Sequence, residues 1–248
     1  MADMRNDKDK QLRIAGALRE LYGKHAPRTV PHNNQLDSWP LFASALLARI
    51  NYCLESITCL QFREVDAGVL CRVLFEHVVT FAWLAVDPST RLPRALKSEY
   101  EHLRKANEAI KRLVTGEREA KRIEQMRQYV RGVSGPEMPD MFTRSREADS
   151  HWGRLLDTFH QGSRGFEGLY TVVYRNYSLF THPSVWASEA FVTGAGASRT
   201  IGRPQPQGDH AITMAPVLFA QALLLAADQF RWPPADDVYA AFAAEVQQ

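Results

Sequence analysis

One ten-residue stretch of the chain, Tyr174 to Pro183, combines a cation, a hydroxyl and an imidazole at helical spacing. Arg175 and His182 are seven residues apart, and seven steps of about 100° fall roughly 20° short of two turns. The two side chains therefore share one helix face, about 10 Å apart, with Ser178 between them. A guanidinium, a hydroxyl and an imidazole in this arrangement are suited to phosphate chemistry. The proline that follows the histidine ends the helix.

A structural role for His182 is the alternative to a role in phosphate chemistry. A histidine in the last turn of a helix commonly donates hydrogen bonds to the last backbone carbonyls, which have no partner within the helix. The residue pattern alone leaves both roles open.

A charged pair also lies in an apolar part of the chain. Arg72 and Glu76 are four residues apart in a run built otherwise of Val, Leu and Phe, so they share one helix face. Buried charges are costly unless they are paired. Two interpretations stay open. The pair is an internal salt bridge that fixes helix packing, or it faces Arg175, Ser178 and His182 across the bundle and completes a polar pocket.

The hydrophobic pattern predicts the helices that must position these residues. The chain has 248 residues, of which 45% are hydrophobic, so it can bury a sizeable core. The pattern indicates a single all-α domain over residues 1–248, a multi-helix bundle of about seven to nine helices with its core in about 38–86 and 150–247. The expected helices are 6–24, about 38–63, 67–86, 151–160, 166–181, 216–230 and one that ends near 246.

A long polar helical arm is expected at about 89–132, with a narrow apolar seam that suits packing against the body or a partner chain. Residues 91–146 carry 14 Lys/Arg and eight Asp/Glu, a local net charge of +6, whereas the whole chain has only +2. This charge indicates either an RNA-binding surface or an ordinary solvated helix face. Loops are expected at 132–147 and in the Gly/Pro-rich segment 187–207, where a short hairpin around 190–192 and 200–201 is the alternative.

Several features predict a cytoplasmic protein with no membrane segment. Cys53, Cys59 and Cys71 lie in apolar surroundings without CxxC spacing, which is typical of reduced, buried thiols. The first ten residues are charged and have no apolar core, so no secretory signal is expected. The longest uncharged run, residues 211–227, is 17 residues long, shorter than the ~20 that span a bilayer. The uncharged run at 211–227 therefore predicts a buried helix.

Two of these motifs together resemble a known family. Arg-x-x-x-Glu in an early apolar helix, Arg72 and Glu76, is followed in a late helix by Tyr-x-x-x-Ser-x-x-x-His-Pro, which begins at Tyr174. This combination resembles the bacterial helical family DUF5677, a domain of unknown function. The resemblance covers about residues 40–230.

The late helix is also similar to a second group of proteins. Arg175 and Asn176, followed by His182, match the Arg-x(4–6)-His signature of HEPN proteins. These are all-α domains, many of them metal-independent endoribonucleases of toxin, defence and RNA-processing systems. The resemblance implies that His182 is the acid/base, that Arg175 contacts the phosphate and the transition state, and that Asn176 is the polar residue that commonly follows the arginine. It also implies a site formed across a homodimer.

The leading hypothesis is therefore a HEPN-like, metal-independent endoribonuclease or toxin of a bacterial defence or stress system, with an RNA substrate and an antitoxin or other partner protein. An imidazole and a guanidinium can drive cleavage through the RNA 2′-hydroxyl without metal or cofactor. The alternative is a non-catalytic bundle that binds a partner or a small anionic ligand, with the polar cluster structural. In the ribonuclease hypothesis, a supporting pocket is formed by Arg72, Glu76, Tyr174 and Ser178.

Overall fold

The computed structural model describes residues 2–27, 39–61, 63–110, 117–133, 136–156, 165–181, 192–193, 200–201 and 210–246. Outside one short strand pair, the regular structure of these residues is helical, which confirms the predicted all-α multi-helix bundle. The elements are α1 (Ala2–His25), α2 (Trp39–Cys59), α3 (Glu64–Val86), α4 (Pro88–Ile110), α5 (Glu117–Val130), α6 (Met141–Leu156), α7 (Gly165–Leu169), a π-helical turn (Tyr170–Arg175), α8 (Asn176–Thr181), β1 (Val192–Thr193), β2 (Thr200–Ile201), α9 (His210–Phe230) and α10 (Ala235–Val246). The antiparallel β1–β2 pair lies where the sequence suggested a hairpin.

The two most apolar helices, α3 and α9, lie at the centre of the bundle. α3 packs against α2, α6, α8 and α9, and its Leu74, Phe75 and Val78 are completely buried. Each such side chain contributes roughly 1.5–3 kcal/mol when it leaves water, so a helix that is apolar on most faces is enclosed on most faces. Both helices are long and apolar enough to cross a membrane, but most of that length is buried inside the protein, as in a core helix.

The core also includes part of α1, which lies outside the predicted core segments. Ile14 and Leu18 of α1 are buried against α9 and α10. In α6, Ala148 and Trp152 are buried against α3. The Trp152 ring N–H donates to the Ala82 carbonyl at 2.8 Å, which fixes α6 on α3.

The predicted boundary of α6 was wrong. A loop was expected through residue 147 and a short helix at 151–160, but α6 begins at Met141. Asp140 provides the cap, because its Oδ1 accepts the Thr143 backbone N–H at 2.7 Å. The prolines at 136 and 139 precede this cap and so do not interrupt the helix. One apolar face follows, formed by Met141, Ala148, Trp152 and Leu156.

The three thiols are free, but they do not share one environment. Cys53 and Cys71 are buried, as predicted, and burial raises the pKa of the Cys71 thiol to about 12. Cys59 is exposed, which corrects the expectation for this residue. It is the last residue of α2, so it lies where the helix leaves the core.

The predicted polar arm is α4 and α5, which pack on each other. Leu92 and Leu96 of α4 form a second small core with Trp83. The Arg91 and Arg94 guanidiniums lie 4.9 and 5.5 Å from the centre of the Trp83 ring, close enough for cation–π attraction. Part of the basic charge in this region therefore anchors the arm to the body of the protein, and RNA binding by the arm stays a prediction.

The helix that carries the Arg175 motif begins at Gly165, where the chain runs very close to α6. The backbone φ of Gly165 is +61°, and a Cβ at this position would lie 2.4 Å from Oδ1 of Asp149. The Asp149 carboxylate accepts the backbone N–H groups of Phe166 and Glu167, both at 2.8 Å. It thus caps the helix from another element, although burial raises the pKa of this carboxyl.

We expect Gly165→Ala to lower the free energy of unfolding by about 2 kcal/mol or more. A left-handed φ costs an L-residue roughly 1–2 kcal/mol, and the added methyl displaces the capping carboxylate, which costs about 1 kcal/mol more. The control is Gly153→Ala in α6, where a Cβ meets nothing within 4 Å and helix propensity favours alanine. Urea unfolding followed by circular dichroism compares them, and equal stability of the two variants would contradict the assigned cap.

Candidate functional site

The polar contacts between α3 and residues 165–181, the motif helix, centre on Arg72. Its Nε lies 3.1 Å from Oε1 of Glu76, one turn along α3. One terminal nitrogen donates to the Thr181 hydroxyl and the other lies 3.4 Å from the Tyr174 hydroxyl, while the guanidinium is 4.7 Å from the centre of the Tyr174 ring. The side chain is only 16% exposed. The predicted Arg72–Glu76 pair is thus present, and Arg72 fastens the motif helix to the core.

A glycine allows the two helices to come this close. A Cβ on Gly68 would lie 2.5 Å from two ring carbons of Tyr177, so only a residue without a side chain leaves room for this ring. Arg72 follows Gly68 by one helical turn on α3, and Thr181 follows Tyr177 by one turn on α8. The close approach therefore brings the guanidinium within reach of the motif helix.

The motif helix is not the uninterrupted α-helix that the pattern predicted. Residues 170–175 form a π-helical turn between α7 and α8. Such turns insert an extra residue and occur frequently at functional sites. The insertion shifts the position of every later side chain around the helix axis relative to α7, so the face that meets Arg72 cannot be derived from α-helical spacing alone.

The structure separates the predicted motif residues into two groups. Arg175 and Asn176 are exposed, whereas Tyr174 contacts Arg72. The half-buried Ser178 donates its hydroxyl hydrogen bond to the Tyr174 carbonyl. His182 lies outside the described residues, so the shared face of Arg175 and His182 stays a prediction.

Arg144 of α6 enters the same cluster, although the sequence pattern did not reveal it. The residue is only 8% exposed, and one of its terminal nitrogens donates to the Thr80 hydroxyl at 2.6 Å. Burial lowers the pKa of Arg144, and the nearby Glu76 and Tyr174 act in the opposite direction. The signal that could have located it is the Asp140 cap, which places Arg144 in the first turn of a helix rather than in a loop.

The buried cluster has more positive than negative charge. Among the described residues, Arg72 and Arg144 share the carboxylate of Glu76, and the exposed Asp140 also acts on Arg144 from the surface. The Nε atoms of both arginines are buried and have no hydrogen-bond partner among the described residues. Glu76 lies at ion-pair distance from Nε of Arg72, but its carboxylate is not in line with the Nε–H bond. Burying a charge costs several kcal/mol, and one shared carboxylate offsets only part of that cost for two cations. The cluster is therefore suited to an anion.

His77, next to Glu76, is not a proton carrier at neutral pH. Its Nε2 accepts a hydrogen bond from Nε of Arg49 at 2.8 Å. Burial and the charge of Arg49 lower the pKa of His77 to about 4, so the ring is neutral at pH 7. Within the described part of the chain, no three His, Cys, Asp or Glu side chains are grouped closely enough to hold a metal ion.

A family model described as a family of unknown function, DUF5677, matches residues 41–197, well over half of the chain. The chain belongs to the DUF5677 family. The DUF5677 region starts within α2 and ends beyond β1, so it includes both the α3 pair and the motif helix. Among curated proteins and solved structures, no match to the chain is found. Membership in DUF5677 assigns no activity, so the function of the protein depends on the chemistry of its site.

Proposed function

We propose that this DUF5677 protein is a HEPN-like, metal-independent endoribonuclease that acts as a cytoplasmic toxin or effector in bacterial defence or stress. One structural observation supports this most directly. The motif helix is clamped to the core through Tyr174 and Thr181, and it leaves Arg175 and Asn176 exposed. A rigid helix with a solvent-facing Arg–Asn pair can position a phosphodiester better than a mobile loop.

The proposed reaction uses the nucleophile that RNA itself carries. His182 accepts the proton of the 2′-hydroxyl as the 2′-oxygen attacks the adjacent phosphorus. Arg175 binds the non-bridging oxygens and stabilises the negative charge of the phosphorane, and Asn176 donates a hydrogen bond to the same phosphate. The 5′-oxygen then leaves and takes up the proton that His182 accepted, so His182 acts first as base and then as acid. The products are a 2′,3′-cyclic phosphate and a 5′-hydroxyl end.

We propose that a second copy of the chain packs on the same exposed face. Val172 is 54% exposed and precedes Asn176 by about one turn. An apolar side chain beside a polar pair gives a partner chain surface to cover, as at the core of many interfaces. We therefore place the contact of the proposed homodimer on the Val172–Asn176 face, so that two Arg175 side chains line one shared groove.

The test uses RNA that lacks the nucleophile. Wild-type protein should cleave a pool of RNA oligonucleotides of varied sequence in the presence of EDTA, and it should leave the same pool with 2′-O-methyl groups intact. Denaturing gels measure cleavage, and mass spectrometry identifies the cyclic phosphate ends. Cleavage of the 2′-O-methyl pool would exclude this mechanism. An intact RNA pool would favour the non-catalytic binding bundle instead.

A further inference from the structure

A row of aromatic rings leads from the protein surface to the buried arginine cluster. Phe142 is 38% exposed, and its ring meets Tyr170 edge to face at 5.3 Å. Tyr170 stacks on Tyr174 with their centres 5.0 Å apart, and the Arg72 guanidinium covers the Tyr174 ring at 4.7 Å. The row therefore has an exposed apolar end and a buried cationic end.

The cationic end has an unmatched donor and more buried positive than negative charge. Nε of Arg144 is buried without a hydrogen-bond partner among the described residues, and Nε of Arg72 has an ion pair with Glu76 at 3.1 Å but no hydrogen bond. Glu76 acts on both arginines, and Asp140, which acts on Arg144, is exposed. A guanidinium binds an oxyanion through paired N–H groups in one plane, which is a geometry that phosphate matches. A phosphate group would balance the remaining positive charge and provide an acceptor for Nε of Arg144.

We propose that this cluster binds a small aromatic phosphate, a phosphate monoester that carries a planar ring. The phosphate lies on Arg144 and Arg72, and the ring stacks at Phe142 and Tyr170, because aromatic faces hold planar ligands with little demand on their substituents. The site is distinct from the exposed Arg175 face, and it does not depend on ribonuclease activity. The π-helical turn that carries Tyr170 is itself a feature common at binding sites.

Calorimetric titration with inorganic phosphate, phenyl phosphate and adenosine monophosphate tests the site. The folded wild type should bind both esters more tightly than inorganic phosphate. Arg144→Met should weaken all three at least ~10-fold, the equivalent of one charge-assisted contact. The matched control is Arg146→Met, which removes the same charge from an exposed position on the same helix and should leave the affinities unchanged.

The two ends of the site can be separated by a second variant. Phe142→Ala should weaken phenyl phosphate and adenosine monophosphate several-fold while inorganic phosphate binds as before. Tyr52→Ala on α2, another exposed aromatic residue, is its control. If only inorganic phosphate responds to Arg144→Met and neither ester gains from the ring, the aromatic part of the proposal is wrong.

The Arg144→Met variant should fold, so its loss of ligand binding can be separated from unfolding. Arg144→Met removes the excess buried cation, so its melting temperature should equal or exceed that of the wild type. Should it fail to fold, Arg144→Lys retains the charge but loses the planar fork, and it should still weaken phosphate binding. Equal affinity in the Arg144 and Arg146 variants, or no binding by the wild type at millimolar ligand, would overturn the proposal whatever the outcome of the RNA assay.

Discussion

Replacing His182 by alanine should lower the rate of RNA cleavage at least ~100-fold, the usual contribution of a general acid/base. The protein should stay folded, because Thr181, the preceding residue, holds the end of the motif helix on Arg72. Cleavage of a fluorescent oligonucleotide and circular dichroism measure the two properties on one sample. The control is His210→Ala, which replaces an exposed histidine at the start of α9 and should leave the rate unchanged.

Arg175→Ala should reduce the rate to a similar extent, because it removes the group that stabilises the phosphorane. Arg175 is exposed, so its loss should change the free energy of unfolding by no more than about 0.5 kcal/mol. Arg154→Ala, another exposed arginine, serves as its control. EDTA should have no effect on any of these rates. The catalytic assignment fails if the His182 variant retains full cleavage, or if it loses activity only because it unfolds.

A large loss of stability is also expected from Glu76→Gln, which should lower the free energy of unfolding by about 2–3 kcal/mol. The substitution conserves shape but removes the carboxylate that acts on both Arg72 and Arg144. Removing one partner of a fully buried ion pair costs about 3–5 kcal/mol. The side chain of Glu76 is 32% exposed, so the expected loss of stability lies at or below the lower end of that range. Urea unfolding measures the difference.

The matched control for Glu76 is Glu124→Gln in α5. Glu124 also pairs with an arginine on its own helix, Arg127 at 3.2 Å, but both side chains are more than half exposed. Such a pair contributes no more than about 1 kcal/mol. The double variant Glu76→Gln/Arg144→Met should regain part of the lost stability, since it removes one of the two cations on which the Glu76 carboxylate acts. Equal losses at Glu76 and Glu124 would show that the buried cluster has no excess charge.

Much of the fold can be predicted from the chain because helix patterns are local. The central positions of α3 and α9 follow from their lack of polar faces, and the arm follows from the charges and narrow seam of α4 and α5. The boundary of α6 could not be placed in the same way, because two prolines suggested a loop. The capping bond from Asp140 outweighed them.

The candidate site also combines contacts that are local in sequence with contacts between distant segments. The sequence by itself determined the Arg72–Glu76 pair, because residues four apart on a helix meet whatever surrounds them. It also determined membership in a helical family through motifs that are read along the chain.

Only the tertiary structure decided which groups join that pair. Tyr174 faces Arg72 because Gly68 lets the helices approach closely. The π-helical turn changes the direction in which the side chains after it point around the helix axis. Arg144 reaches the cluster from α6, which is far away in sequence. Contacts of this kind depend on how separate helices pack, and no spacing within one segment encodes them.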